Sequence, residues 1–298
     1  MAIDAERLQK PVRKLRKLLS KMPSQPSPEE VHDLRTNSRR IEAMLPALSL
    51  DSKRQDRRML RRVSKLRKRA GKVRDFDVFT GYLSKIPNHR DKNACSVQLL
   101  EYLGAERQKY AKKLNRVRRQ NGSPLRKELK QTEKQLAKTA SQDGQPSPDA
   151  NSASSDAASN ALHLLTELSA PRRLGRGNLH PFRLKVKELR SLLQMAGDSS
   201  QQDFLDRLDE VKDAIGEWHD WAELEAIARK VLTHGAQCPV LREIRKTADA
   251  KYEQALEKSQ QLRKKFLRVS EGSRSRSRPK LSQGPTEPVW SATAALAA

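Results

Sequence analysis

Apolar residues recur along most of the chain at intervals of three and four residues, which is typical of amphipathic α-helices. The strict alternation of apolar and polar residues that indicates strands is absent. The sequence therefore predicts an all-α fold. Its predicted helices cover residues 4–21, 28–48, 51–85, 93–119, 124–138, 161–169, 179–196, 201–232 and 239–268. Ser27 and Glu30 are predicted to form a capping box at the start of the second helix, with Pro28 at its first position.

Two segments lack this periodicity. Residues 139–160 consist of small and polar residues with no Lys or Arg, which predicts a flexible linker. Residues 270–298 contain Ser-Arg repeats, Pro and Gly, which predicts a disordered tail. We therefore expect a first helical domain at 1–138, the linker at 139–160, a second helical domain at 161–269 and the tail at 270–298.

A motif of one histidine and several cations occurs on both sides of the linker, at an offset of 148 residues. The cations follow the histidine at intervals that keep them on one helix face. The motif residues are His32, Arg35 and Arg39 in the first copy and His180, Arg183, Lys187 and Arg190 in the second. Either histidine could be a structural residue or could contact a ligand.

A second motif recurs at an offset of 145 residues. Gly71 and Asp75 in the first copy correspond to Gly216 and Asp220 in the second, and each Asp precedes an aromatic residue. A glycine inside a helix costs about 1 kcal/mol relative to alanine, so its recurrence indicates a close helix approach or a local break. Two corresponding motifs in the same order predict an internal duplication, with two pseudo-symmetric helical bundles.

Charge is distributed unevenly between the two halves. The formal net charge is +25, and residues 1–140 hold 37 Lys or Arg against 15 Asp or Glu, an excess of +22. Such a field favours a polyanionic partner. One face of the predicted helix at 51–85 is almost wholly cationic, which a merely solvated face would not require. The candidate binding residues on that face are Arg58, Arg61, Arg62, Lys65, Arg69 and Lys72.

Several classes of protein are excluded or disfavoured. Two cysteines, Cys95 and Cys238, are too few for a disulfide scaffold and lack the paired spacing of a zinc site, so we expect buried thiols and no bound metal. No apolar run is long enough to span a membrane, and the N-terminus lacks the pattern of a signal peptide. We expect a soluble cytoplasmic protein.

The paired motifs resemble the CHAD domain, the conserved histidine α-helical domain, over roughly residues 1–268. The resemblance implies two helical bundles around a central basic groove that binds inorganic polyphosphate, and it implies that the His, Arg and Lys residues of the motifs line that groove. The second copy departs from the family pattern at Pro181 and Glu188. The groove is therefore expected to be lopsided, with a larger contribution from the first half.

These observations favour a non-catalytic polyphosphate-binding protein without a cofactor, located in the cytoplasm and associated with polyphosphate granules. General binding of nucleic-acid phosphates is the alternative, although the basic helix offers no aromatic side chain for base stacking. A metal-dependent phosphoanhydride hydrolase ranks lower, because the basic half has few convergent carboxylates. Asp75, Asp77 and Asp220 are interpreted as structural residues or partners of Arg or Lys.

Overall fold

A computed structural model describes residues 5–47, 53–86, 94–142, 150–196, 202–233 and 237–267 of the chain. These residues form eight α-helices and no strand. In chain order, the helices are α1 (Ala5–Lys21), α2 (Pro28–Ala47), α3 (Arg54–Leu83), α4 (Ala94–Gln142), α5 (Ala150–Ser169), α6 (Leu179–Ala196), α7 (Gln202–Val231) and α8 (Pro239–Phe266). The predicted fold class is confirmed at this level.

The start of α2 forms as the sequence predicts. The backbone N–H of Glu30 donates to Ser27 Oγ at 3.2 Å, and the N–H of Ser27 donates to Glu30 Oε2 at 2.8 Å. This reciprocal pair is a capping box, and it satisfies donors that the first turn of a helix leaves without an intrahelical partner. It fixes the point at which α2 begins, four residues before the exposed His32.

The prediction of two helices between residues 93 and 138 was wrong. Helix α4 is continuous over 49 residues and includes Pro124. Proline removes one backbone donor and costs about 3 kcal/mol in a helix interior. Beyond it, Leu125, Leu129 and Leu136 continue the apolar stripe and are fully buried. Burial of each such side chain contributes about 1.5–3 kcal/mol, so packing outweighs the proline.

Helices also extend into the segment interpreted as a flexible linker. Helix α4 runs to Gln142 and α5 begins at Ala150, which leaves only residues 143–149 of that segment outside the described residues. Residues 150–160 contain four alanines, the residue with the highest helix propensity, and this favours the helix despite the lack of large apolar residues. The predicted tail at 270–298 lies outside the described residues.

The buried residues form three apolar clusters. One lies among α1–α4 and contains Leu34, Ile41 and Leu66, and another lies among α5–α8 and contains Phe182 and Leu189. The third joins the two halves of the chain, because it combines the C-terminal parts of α3 and α7 with the N-terminal parts of α4 and α8. The two halves therefore share a core and hold their facing helices in a fixed relation.

The shared core contains a stacked aromatic pair and both cysteines. The rings of Tyr82 in α3 and Trp221 in α7 stack at 4.6 Å between centroids, with an interplanar angle of 1°. Cys95 and Cys238 are buried, as the sequence predicts, and they are not joined in a disulfide. Burial, followed by the neighbouring Cys238, raises the pKa of the Cys95 thiol to about 11. Cys95 is therefore protonated at neutral pH.

None of the helices that the structure describes combines the length and the apolar character that crossing a membrane requires.

Candidate functional site

Arginines from both halves of the chain lie close to Arg39 in α2. Burial lowers the pKa of the Arg39 guanidinium, and the positive charges of Arg35, Arg67, Arg183 and Arg190 lower it further. These residues come from α2, α3 and α6. We call the five residues the arginine cluster. Because like charges raise the free energy of a desolvated site, such a cluster favours the approach of an anion.

Two members of the cluster form ion pairs with carboxylates of the protein. Arg67 forms an ion pair with Glu42 of α2. Arg190 Nη2 lies 2.5 Å from Asp209 Oδ2 of α7. These pairs hold two guanidinium groups in place and leave the cluster strongly positive, since the five cations have two carboxylate partners among the described contacts.

Arg183 lies against a glycine of α7. Its Nε donates to the carbonyl oxygen of Lys212 at 2.9 Å. A Cβ atom at Gly216 would lie 2.8 Å from Arg183 Nη2, which is closer than Cβ atoms in proteins approach other atoms. The side chain of Arg183 therefore occupies the space that a side chain at Gly216 would need. At Gly71 the corresponding Cβ would lie 3.8 Å from Arg35 Nε, an ordinary contact, so a methyl group fits there.

The two motif histidines have different environments. His32 is exposed, and its Nε2 lies 3.5 Å from the hydroxyl of Thr36. His180 is half-buried, and its ring packs on His219 of α7 with centroids 4.6 Å apart. Burial lowers the pKa of His180, and the charges of His219 and Arg183 lower it further. His180 is therefore a neutral, packed ring at neutral pH, whereas His32 is open to solvent.

The second motif, which recurs in both halves, brings two carboxylates to the contact between the halves. Burial raises the pKa of Asp220 in α7 to about 6, and Asp75 and Glu223 also raise it, while His219 and Arg183 oppose the shift. Burial likewise raises the pKa of Asp75 in α3, whose Oδ2 lies 3.6 Å from Lys72 Nζ. The two motif aspartates thus influence each other electrostatically beside the arginine cluster.

Asp77, two residues after Asp75 of the second motif, has a structural role. Its Oδ1 accepts a hydrogen bond from Arg107 Nε of α4 at 2.6 Å, and the same guanidinium donates to the carbonyl oxygen of Pro26 at 2.9 Å. Arg107 therefore links α3, α4 and the loop before α2. This agrees with the interpretation of Asp77 as the partner of a basic residue.

The predicted cationic face of α3 is divided among different surroundings. Arg62 forms an ion pair with Glu128 of α4, so it faces that helix. Arg67 faces α2 on the other side, through Glu42. The remaining predicted residues of this face are all exposed, and they are Arg58, Arg61, Lys65, Arg69 and Lys72. They form a surface along α3 next to its seam with α4.

Sequence reasoning missed Arg67 as a member of the site. Its signal was its position on the helical wheel, one residue after the buried Leu66 and at the edge of the apolar stripe. A cation at that edge must face the neighbouring helix, whereas cations opposite the stripe face solvent. Four predicted residues do lie in the cluster: Arg35, Arg39, Arg183 and Arg190. Lys187 is half-buried on α6, one helical turn from Arg183 and from Arg190.

Metal-ligating side chains are not grouped near the cluster. Across the part of the chain that the structure describes, no three or more His, Cys, Asp or Glu side chains are arranged to hold a metal ion. Cation-rich surroundings suit an anionic ligand, and arginine offers two parallel donors to the oxygens of one phosphate.

Comparison with known proteins identifies one match. The family model described as CHAD domain matches residues 6–229, well over half of the 298-residue chain. The matched range begins in α1 and ends in α7, so it includes both copies of both motifs, and α8 lies beyond it. No curated protein and no solved structure matches the chain.

Proposed function

Since the chain belongs to the CHAD domain family, we propose that it binds inorganic polyphosphate and catalyses no reaction on it. The binding surface is a basic groove between the two halves, lined by the arginine cluster together with Lys187 and His32. The exposed cations of α3 extend this surface along the first half. In the cell, the protein associates with polyphosphate in the cytoplasm or its granules, and nucleic acid is a weaker, nonspecific partner.

One observation carries this proposal: the positive charges of Arg183 and Arg190, in the second half of the chain, act electrostatically on Arg39 in the first half and lower its pKa. Folding brings together like charges that repel, which costs free energy unless a counter-charge is present. An anionic chain lying between α2 and α6 would offset that cost. Helical spacing also suits such a ligand, because cations one turn apart follow each other about every 5.4 Å along the helix.

We further infer that the two halves arose by duplication of one helical unit. Residues related by the 148-residue offset occupy similar places, since Leu34, Ile41, Phe182 and Leu189 are all buried. Arg35 lies near Gly71 and Arg183 lies near Gly216, so the two motifs contact each other in each half. A duplicated unit facing its copy would present the same row of cations from two sides.

Charge reversal at Arg39 tests the proposed function. The Arg39 side chain is partly desolvated by its neighbours but reaches solvent and belongs to none of the apolar clusters, so Arg39→Glu should leave the core intact. We expect the dissociation constant for polyphosphate at low salt to rise on the order of thirtyfold, equivalent to about 2 kcal/mol, with a smaller rise for Arg39→Gln. Arg242→Glu in α8 is the control, because Arg242 is exposed and belongs neither to the motifs nor to the arginine cluster.

Two further measurements accompany these variants. Long-chain polyphosphate should displace duplex DNA at equal phosphate concentration, and DNA should not displace polyphosphate. Incubation with polyphosphate and magnesium should release no phosphate. Equal binding by Arg39→Glu and Arg242→Glu would contradict the proposed groove, and steady release of phosphate would contradict the non-catalytic assignment.

A further inference from the structure

Much of the positive charge of the first half lies on two helices outside the arginine cluster. Helix α1 has seven Lys or Arg and one acidic residue, and α4 has twelve and four, so together they hold a net charge of +14. Helix α2, which supplies Arg35 and Arg39, has three cations and four acidic residues. The proposed groove therefore leaves most of the excess charge of residues 1–140 without a role.

Part of this charge lines a groove between α1 and α4. The groove has a volume of about 680 Å³. Its lining residues are Arg13, Arg16, Lys17 and Ser20 of α1 and Arg126, Lys130 and Glu133 of α4. We call it the α1–α4 groove. Five cations face one carboxylate there, and none of the lining residues belongs to the arginine cluster.

The single carboxylate of the groove already has two cationic partners. Glu133 Oε1 accepts a hydrogen bond from Arg13 Nε at 2.7 Å, and Arg16 Nη1 lies 2.9 Å from Oε2. Lys17, Arg126 and Lys130 are exposed around this triad. The groove thus combines a fixed pair of guanidinium groups with three solvated cations, an arrangement in which phosphate oxygens can replace the carboxylate.

We propose that the α1–α4 groove is a second polyphosphate-binding surface that engages chains long enough to occupy it and the arginine cluster together. The inference rests on the proposed function, since the first surface supplies the initial contact. Once a chain is bound there, its free end reaches the second surface at a high effective concentration. The groove therefore makes the affinity depend on chain length.

The shape of the site favours a bare phosphate chain over nucleic acid. The cations lie in a recess between two neighbouring helices, whose axes are about 8–10 Å apart in packed pairs. Duplex DNA carries its phosphates on the outside of a stiff, wide double helix, so they reach only the rim of such a recess, whereas a bare phosphate chain can lie within it. Single strands are bound through exposed aromatic side chains, and none lines this groove.

Charge reversal in the groove, with two lengths of ligand, tests the inference on the full chain. The test variant is K17E/K130E, which reverses two exposed lysines, one on each helix. The matched control is K230E/K246E, which changes the net charge equally at exposed lysines of α7 and α8. A third variant, Glu133→Gln, removes the only carboxylate of the groove and keeps its shape. Thermal melts of all three verify folding.

We expect K17E/K130E to bind long-chain polyphosphate of several hundred phosphates at least about tenfold more weakly than the control does. Binding of a short oligophosphate should be the same for both variants within about twofold. The slope of log affinity against log salt should fall by about one for each lost phosphate contact, for the long chain only. Glu133→Gln should bind the long chain more tightly than the wild type.

Equal affinity of K17E/K130E and K230E/K246E for the long chain would overturn the inference. Loss of duplex DNA binding by K17E/K130E, with long-chain binding unchanged, would also overturn it and would assign the groove to nucleic acid. Failure of the wild-type protein to bind the short oligophosphate is a separate outcome, because it contradicts the proposed function and not the second surface alone.

Discussion

The two halves of the chain share motifs but use their arginines differently. In the second half, Arg183 donates to a backbone carbonyl of α7 and Arg190 pairs with Asp209, so both hold the fold together. In the first half, Arg39 is exposed, and Arg35 lies near Gly71 at a distance that would admit a methyl group at that glycine. A recurring motif thus provides packing in one half and an accessible charge in the other.

The long helices α3 and α7 also differ in how many of their charges are paired within the protein. Helix α3 carries eleven Lys or Arg and three Asp, whereas α7 contains several acids that pair with nearby cations, as in Lys212 with Asp209 at 2.5 Å. Ion pairs within the second half reduce the field that it presents to solvent. Under the proposed function, the first half attracts the polyanion and the second half completes and orients the site.

The largest expected effect concerns the two motif aspartates. The folded-state pKa of Asp220 is raised from 3.8 to about 6, so its contribution to stability is fully present below pH 3.8 and is lost as the pH rises through 6. Asp220→Asn should therefore raise the free energy of unfolding at pH 7.5 on the order of 2 kcal/mol, and the gain should vanish near pH 4. Urea titrations over this pH range would measure it.

Asp75→Asn is the matched variant in the first half. Burial also raises the pKa of Asp75, but Lys72 opposes the shift, so the same sign and a smaller gain are expected. Urea titrations of Asp75→Asn over the same pH range serve as the control for Asp220→Asn. A loss of stability for Asp220→Asn at pH 7.5 would show that its charge is favourable in the folded protein and would contradict the burial argument.

Alanine substitutions at the two glycines test the difference in arginine packing. Gly71→Ala should raise stability by up to about 1 kcal/mol, since alanine is the better helix former and the site has space. Gly216→Ala should gain less, because the new methyl group displaces the Arg183 guanidinium and its bond to Lys212. Its affinity for polyphosphate should fall several-fold, whereas that of Gly71→Ala should not change.

Thermal melts and ligand titrations on the two glycine variants decide this prediction. If both variants changed equally in stability and in affinity, Arg35 and Arg183 would be packed in the same way. That result would contradict the proposed difference between the halves.

The smallest expected effect comes from removing the carboxylates that compete with a ligand. Glu42→Gln frees Arg67 in the first half, and Asp209→Asn frees Arg190 in the second. Partly exposed ion pairs contribute about 0–1 kcal/mol, so each change should raise polyphosphate affinity about two- to threefold. Calorimetric titration at low salt can resolve such a change.

The two variants should differ in their cost to the fold. Burial alone would raise the pKa of Asp209, but hydrogen bonds from Lys212 and Arg190 lower it. The charged carboxylate therefore stabilises the folded protein above the pKa that Asp209 has in the unfolded chain. Asp209→Asn should therefore be less stable than Glu42→Gln at neutral pH. A lower polyphosphate affinity in either variant would indicate that the carboxylate positions its arginine for the ligand.

Much of the fold follows from local sequence. Hydrophobic period, the capping box at Ser27 and the apolar stripes predict where most helices lie, because these signals act within a few turns. The continuity of α4 through Pro124 was not predictable, since it depends on packing of Leu125 and Leu129 with other helices. Local propensity favours a break there, and the tertiary contacts outweigh it.

The candidate site divides in the same way. Repetition of the motifs identifies Arg35, Arg39, Arg183 and Arg190 from the sequence alone. The sequence does not reveal that Arg67 joins them, because its wheel position is informative only once the neighbour of α3 is known. Nor does it reveal that Asp75 and Asp220 lie near each other, which depends on the contact between α3 and α7. The motifs identify the candidate residues, and only the fold determines which residues of the two copies lie close together.

The central claim is that one polyphosphate chain is bound by both halves at once. Calorimetric titration of a short oligophosphate into the wild type, Arg39→Glu and Lys187→Glu measures stoichiometry and affinity together. We predict one tight site per chain in the wild type, weakened in both variants and more so in Arg39→Glu, with any binding at the α1–α4 groove much weaker and unchanged by either substitution. Two equally tight sites in the wild type, of which Arg39→Glu removes only one and Lys187→Glu only the other, would contradict the claim.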